Sequence, residues 1–202
     1  MMKLFHNPAS PFVRKVMVNL IETDQQDDVT IVPAVGSPTA SEQMPVAQNP
    51  LGKIPTLLRD SGPAIYDSRV ICRFFDDRAG GRLYPQGHLW ETLTLEATAD
   101  GIMDAAVLMV YEGRCRPEEK RSDEWVEAQW DKISRALDAL ESRWMSHLSG
   151  PLDMGQIAMG CALAYLDFRH GARDWRKGRE ALAKWFEEFA GRPAMQATQP
   201  EA

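Results

Sequence analysis

The sequence predicts two joined parts, a small α/β layer over roughly the first 80 residues and an all-helical remainder. Three observations predict it. Short apolar strand candidates alternate with helix candidates as far as Ala79; the Gly- and Pro-punctuated stretch Gly80-Gly81-Arg82-Leu83-Tyr84-Pro85-Gln86-Gly87 interrupts them; and beyond it apolar residues recur only at helical spacing. The expected units are therefore residues 1–79, a linker 80–87, and a helical unit 88–202.

Lys3-Leu4-Phe5-His6 is a strand candidate stopped by Asn7-Pro8. Ser10-Pro11 then signals a helix start, with serine at the cap, proline at the first helical position, and Val13, Val16, Met17 and Leu20 at helical spacing. The β-branched run Val29-Thr30-Ile31-Val32 predicts a second strand, and 33–48 a long irregular loop. Ile54 to Leu58 and Ala64 to Tyr66 read as two further strands, turned at Ser61-Gly62-Pro63 and followed by a helix from Ser68 to about Ala79. This β-α-β-loop-β-β-α order is that of a thioredoxin-like layer.

The remainder holds four strong helix patterns. His88 to about Arg114 carries a broad apolar face, and Ser122 to His147 a regular stripe of Val126, Trp130, Ile133, Leu137, Leu140 and Trp144. Asp153 with Gln156 reads as a capping box for a helix to about Arg169 that is apolar nearly all round, so it belongs at the centre of the helical part. Gly178 to Ala190 is the last, followed by a short tail expected to fray.

Composition excludes several classes. With 44% apolar and 26% charged residues, no apolar run long enough to span a bilayer and no basic leader before an apolar stretch, the chain reads as a soluble cytoplasmic protein without a membrane partner. Up to Pro85 nine Lys or Arg face nine Asp or Glu; afterwards the counts are fourteen and twenty, giving a net charge of −6 that argues against nucleic acid. Cys72, Cys115 and Cys161 form no closely spaced pair, and the four histidines show no ligand spacing, so neither a disulfide framework nor a metal is expected.

The stretch Asn49-Pro50-Leu51-Gly52-Lys53-Ile54-Pro55-Thr56-Leu57-Leu58 carries the first functional signal. Proline within an apolar strand removes a ladder donor, so the Ile54 backbone is expected to pair with something other than the neighbouring strand. Asp67 and Ser68 set a carboxylate and a hydroxyl beside free helix-start N–H groups, which suits a ligand bearing both ammonium and carboxylate. Taken singly, these residues are a turn, an edge strand and a helix cap.

Together, Gly52-Lys53-Ile54-Pro55-Thr56-Leu57 followed by Tyr66-Asp67-Ser68, with Ser10-Pro11-Phe12-Val13-Arg14-Lys15 upstream, resembles the glutathione S-transferase family in its bacterial serine-type form. The resemblance covers nearly the whole chain, with its specific motifs in the first 80 residues. It implies the glutathione S-transferase fold, a cis Pro55, and glutathione as co-substrate without a metal. It also implies roles: Ser10 donates its hydroxyl to the glutathione sulfur, Lys53 neutralises a glutathione carboxylate, Ile54 pairs with the cysteinyl backbone, and Asp67 and Ser68 hold the γ-glutamyl end. Phe12, Met103, Val107 and Tyr111 are the candidates for a pocket taking a small apolar electrophile, and a homodimer active in detoxification is expected. An acid on the long helix reaches the partner's glutathione in some classes, which makes Asp100 a further candidate. Arg14 and Lys15 are expected on a solvated face; Asn7 is a second candidate near the sulfur, with turn formation the expected role. Two other readings follow from the same residues: a non-catalytic glutathione-fold binding or interaction protein, and a glutathione-dependent thiol reductase, which would need a cysteine where Ser10 stands.

Overall fold

The computed structural model describes residues 1–200. It begins with strand β1 (Met2–His6), helix α1 (Pro11–Glu22), strand β2 (Val29–Pro33), strand β3 (Thr56–Leu58) and helix α2 (Ser68–Arg78). Six helices follow: α3 (Leu89–Cys115), α4 (Asp123–Arg143), α5 (Met145–Leu148), α6 (Met154–His170), α7 (Glu180–Ala190) and α8 (Pro193–Gln196). The expected α/β layer joined to a helical part is what the chain forms.

The sheet has the order β2-β1-β3, with β2 parallel and β3 antiparallel to the central β1. Strand β1 is central because Met2 and Leu4 bury one face while both its edges are paired. The opposition of Phe5 to Thr56 sets the end of β1 beside the start of β3. That register decides where the functional residues meet.

Two expectations for this layer were too generous. Strand β3 spans only Thr56–Leu58, since Pro55 has no N–H to extend it. Ala64-Ile65-Tyr66 makes a single bridge, Ile65 to Leu57, before Asp67 begins the next helix. The long loop before it, Ala34 to Pro55, is irregular as expected apart from one bridge between Ser37 and Ala40.

Helix α1 starts where the sequence placed it: Ser10 Oγ accepts the Val13 N–H at 3.3 Å, with Pro11 at the first helical position. Helix α2 is capped by Asp67, whose Oδ1 accepts the Arg69 N–H at 3.0 Å. It ends in two residues of positive φ, Gly80 (96°) and Gly81 (75°), where a side chain would be strained. Buried Asp76 then accepts the Leu83 N–H at 2.7 Å, and Leu83 O accepts from Met154 N at 2.9 Å. Through these bonds the linker ties α2 to the head of α6.

Helix α6 is the buried axis of the helical part, with Met154 to Leu163, Tyr165 and Leu166 all buried. Gly160 lets α7 close in, since a Cβ there would lie 2.5 Å from the Phe189 ring. Its cap is half of the expected box. Asp153 Oδ1 accepts the Gln156 N–H at 3.0 Å, but the Gln156 amide donates to the carbonyls of His147, Gly150 and Pro151 instead of returning to the cap. Asp153 Oδ2 is taken by Thr92 Oγ1 at 2.7 Å and His147 Nε2 at 2.6 Å.

Other boundaries moved for local reasons. The stripe expected to run to His147 divides at Trp144, and the helix expected from Gly178 begins at Glu180 because Gly178 takes φ 73°. The tail does not fray at Pro193: α8 buries Ala194 and Met195 and is held by Arg14, whose Nη2 donates to Met195 O at 2.9 Å. No helix among the described residues is long and apolar enough to cross a membrane.

Candidate functional site at the edge of the sheet

Three chain segments meet at one end of the sheet. The end of β1 leads through Asn7 and Ala9 to Ser10, the start of β3 is preceded by Lys53-Ile54-Pro55, and the Ile65 bridge brings Tyr66-Asp67-Ser68 to the same end. Asn7 forms the turn: its Oδ1 accepts the Ala9 N–H at 3.0 Å, its Nδ2 donates to Ala34 O, and its own carbonyl accepts the Ser10 N–H. Ser10 is half-buried, and its hydroxyl oxygen is engaged as an acceptor while its proton is free to turn outward.

The loop at Ile54 is rigid for a visible reason. Asn49, nearly fully buried, donates to Lys53 O at 2.9 Å and Thr56 Oγ1 at 3.1 Å, and Thr56 Oγ1 donates to Lys53 O at 2.8 Å. The Ile54–Pro55 peptide is cis, as the resemblance implied, and the Ile54 N–H and C=O make no hydrogen bond among the described residues. That leaves a backbone donor and acceptor for an extended ligand. Lys53 is exposed beside them.

Asp67 is exposed, and Ser68, the first residue of α2, is buried. Partial burial raises the Asp67 carboxyl, but hydrogen bonds from the Arg69 side chain and backbone outweigh it and hold the group below the usual carboxylate range. It is an anion at neutral pH. Arg69 Nε also lies 3.6 Å from Asp100 Oδ2.

Behind this face stands a seam of buried charge that the sequence did not announce. Lys15 was expected in solvent; it has no exposed surface, and its Nζ sits 2.7 Å from Asp100 Oδ1 and 3.1 Å from Glu96 Oε1. Burial lowers the ammonium's pKa, and the two carboxylates more than offset that, holding Lys15 above its ordinary value. Burial pushes Glu96 and Asp100 upward, and Lys15, with Arg69 beside Asp100, only partly counters it. The Tyr84 hydroxyl donates to Glu96 at 3.1 Å, so the seam begins in the linker.

Arg14 was also expected in solvent and is buried against α8. Of the four electrophile-pocket candidates, Phe12, Val107 and Tyr111 keep partial exposure. Met103 has none: it lies in the core between helices and presents nothing to a ligand. Asp100 faces Lys15 and is buried, so the expectation that it reaches outward to a partner is not what its contacts show. Tyr165 of α6 is buried and lies with Ser10, Pro11, Arg14, Cys161 and Pro200 around a crevice too tight to admit a water molecule. Cys72 and Cys161 are fully buried, with Cys161 pushed up to about 11, first by burial.

Residues 4–83 match the glutathione S-transferase N-terminal domain, and residues 123–188 match the glutathione S-transferase C-terminal domain. The chain is 33% identical over 205 residues to the uncharacterized GST-like protein YibF of Escherichia coli K12, covering 98% of each. It belongs to the glutathione S-transferase family. A glutathione transferase family member from Pseudomonas fluorescens Pf-5, crystallised with glutathione, is 46% identical over 100% of both chains and superposes with a TM-score of 0.97. A structure of a family member from the same strain with bound S-(propanoic acid)-glutathione is also 46% identical over 100% of both chains, with a TM-score of 0.91.

Proposed function

We propose that the protein binds glutathione and activates its thiol for attack on small electrophiles, as a serine-type glutathione transferase. The observation that carries this reading is the Ser10 hydroxyl, which caps α1 as an acceptor from Val13 and keeps a proton to donate to a sulfur atom. A free thiol has a pKa of about 8.5, and a hydroxyl donor beside a helix N-terminus favours the thiolate, the nucleophilic form.

Glutathione lies along the sheet edge in this reading. Its γ-glutamyl end goes to Asp67 and Ser68, its cysteinyl backbone to the Ile54 N–H and C=O, and a carboxylate to Lys53. The free Ile54 backbone and the ionised Asp67 support these assignments. The glutathione held by the Pseudomonas relative supports the ligand, and the propanoic acid carried on sulfur in the second structure supports a substituent at that atom. The electrophile stands against Phe12, Val107 and Tyr111, with Met103 withdrawn. In the same reading the protein is a cytoplasmic homodimer that disposes of reactive electrophiles, and its units keep the limits 1–79 and 88–202 about the linker 80–87. Exposed Leu51, Val70 and Trp90 are apolar side chains that a dimer could cover.

The test is conjugation of glutathione to an activated aryl chloride. Loss of one donor to a developing or resident anion lowers turnover by about 10²–10³-fold, so Ser10→Ala is expected to lose kcat on that order with the glutathione KM little changed. Wild-type protein that binds glutathione but turns over no electrophile would favour the non-catalytic alternative. The thiol-reductase alternative needs a cysteine where Ser10 stands; Cys72 and Cys161 are buried, and the partly exposed Cys115 lies at the C-terminal end of α3.

A further inference from the structure

The chain's tail runs back along α1, antiparallel to it, and is fastened at both ends of that helix. Arg192 Nε and Nη2 each donate at 3.0 Å to the carboxylate of Glu22, the last residue of α1. Arg14 Nη2 donates to Met195 O at 2.9 Å, and Arg14 Nε reaches Thr198 Oγ1 at 3.4 Å. Two residues further on, Pro200 closes against Ser10 and Pro11, in a crevice shared with Cys161 and Tyr165 of α6 that is too tight to admit a water molecule.

The fastening is expensive. Arg14 is 7% exposed, and taking a guanidinium out of water costs free energy that only good hydrogen bonds return. Both hydrogen bonds its side chain makes among the described residues go to the tail, so the gain from burying it is a fixed tail.

Ser10 is the residue that gains by it. Its cap bond from the Val13 N–H is 3.3 Å, at the long end for such a bond, and the end of a helix is where it opens most readily. Asn7 O steadies the serine from the β1 side by accepting its N–H at 3.0 Å. Pro200 steadies it from the α6 side, and a proline has no N–H to compete for the hydroxyl oxygen it covers.

We infer that residues 192–200 form a strap that positions Ser10: Arg14 clamps the strap, Pro200 closes the α6 side of the serine, and the hydroxyl is left open toward the sheet edge alone. The inference rests on the glutathione reading and deepens it, since it makes Arg14 and Pro200 positioning residues for a sulfur atom that neither touches. A donor must stand within a fraction of an ångström of its productive place, so a strap remote from the ligand governs how well the thiolate is held.

The test compares the full chain with a chain ended at Ala197 and with Pro200→Gly. Ending at Ala197 keeps α8 and the bond from Arg14 to Met195 O while removing the outer end of the strap; Pro200→Gly keeps the length of the chain and removes only the ring. In conjugation of glutathione to an activated aryl chloride, kcat is expected to fall about tenfold in the shortened chain and by less in Pro200→Gly, with the glutathione KM within about twofold of the wild type. The thiol pKa of bound glutathione, read from thiolate absorbance in the ultraviolet, is expected to move toward the free value of about 8.5, while the urea midpoint stays near that of the wild type. A kcat and a thiol pKa equal to those of the wild type in both variants overturn the strap, as does a loss of kcat that merely follows a loss of folded protein. Either result, with glutathione bound by the wild type at a lowered thiol pKa, leaves the glutathione reading standing. A wild type that binds no glutathione overturns both.

Discussion

Ser10 and Lys15 stand on one helix five residues apart, about 140° around its axis, and they are used in opposite ways. Ser10 opens on the sheet edge among groups with spare bonding capacity: the Ile54 backbone, exposed Lys53 and exposed Asp67. Lys15 is sealed in the seam between α1 and α3, where each of its partners is another buried charge. The difference separates binding from stability. Groups at the edge have unmet valence to offer a ligand, whereas groups in the seam spend theirs on one another.

Breaking the seam gives the largest expected effect. Lys15→Met leaves Glu96 buried with no cation in contact and Asp100 with only Arg69 at 3.6 Å, and removing one partner of a buried pair costs about 3–5 kcal/mol, measurable by urea unfolding. The penalty has a pH sign. Carboxyls whose folded pKa is raised favour the fold below their unfolded value and lose that contribution as pH rises through the folded one. The variant is therefore expected to fall further behind the wild type at pH 8 than at pH 5.

Overpacking the helical part comes next. Gly160→Ala drives a methyl group into the Phe189 ring and is expected to cost about 1–3 kcal/mol in the same assay, with no change in glutathione affinity. Ser10→Ala removes a cap and is expected to cost about 1 kcal/mol of stability. Its loss of turnover is out of all proportion to that.

Lys53→Ala sharpens the contrast from the edge. A surface substitution of this kind moves stability by no more than about 0.5 kcal/mol, while the glutathione KM is expected to rise. The smallest effect is expected from His170, whose pKa is lowered first by burial and whose Nε2 lies 3.0 Å from Ala106 O. A lowered histidine contributes stability above its unfolded value near pH 6.5 and loses it as pH falls through the folded one. His170→Asn is expected to flatten the decline of stability between pH 7 and pH 5.

The two regions differ as much in how the sequence displays them. The edge was legible because each of its devices leaves a local mark: serine and proline open α1, proline blocks the ladder at Ile54, and Asp67 caps α2. The four helix patterns were legible through their period, and the central place of α6 through its near-continuous apolar surface. The seam left no such mark. A Lys on α1 and a Glu and an Asp on α3 look like solvated residues until the fold brings positions 15, 96 and 100 together. Tyr165, an aromatic within an apolar helix, reads as core and is core, packed beside Ser10 and the returning tail. Met103 erred the other way: helical spacing tells that a face is apolar but not whether it meets protein or ligand.

The central claim is that Ser10 lowers the thiol pKa of bound glutathione, and thiolate absorbance in the ultraviolet reads that quantity directly. Titrating glutathione-saturated wild type and Ser10→Ala with base, while binding heat confirms occupancy, is expected to give a thiol pKa well below the free value of about 8.5 in the wild type and a return toward it in the variant. The same thiol pKa in both proteins, with glutathione bound in both, would contradict the account.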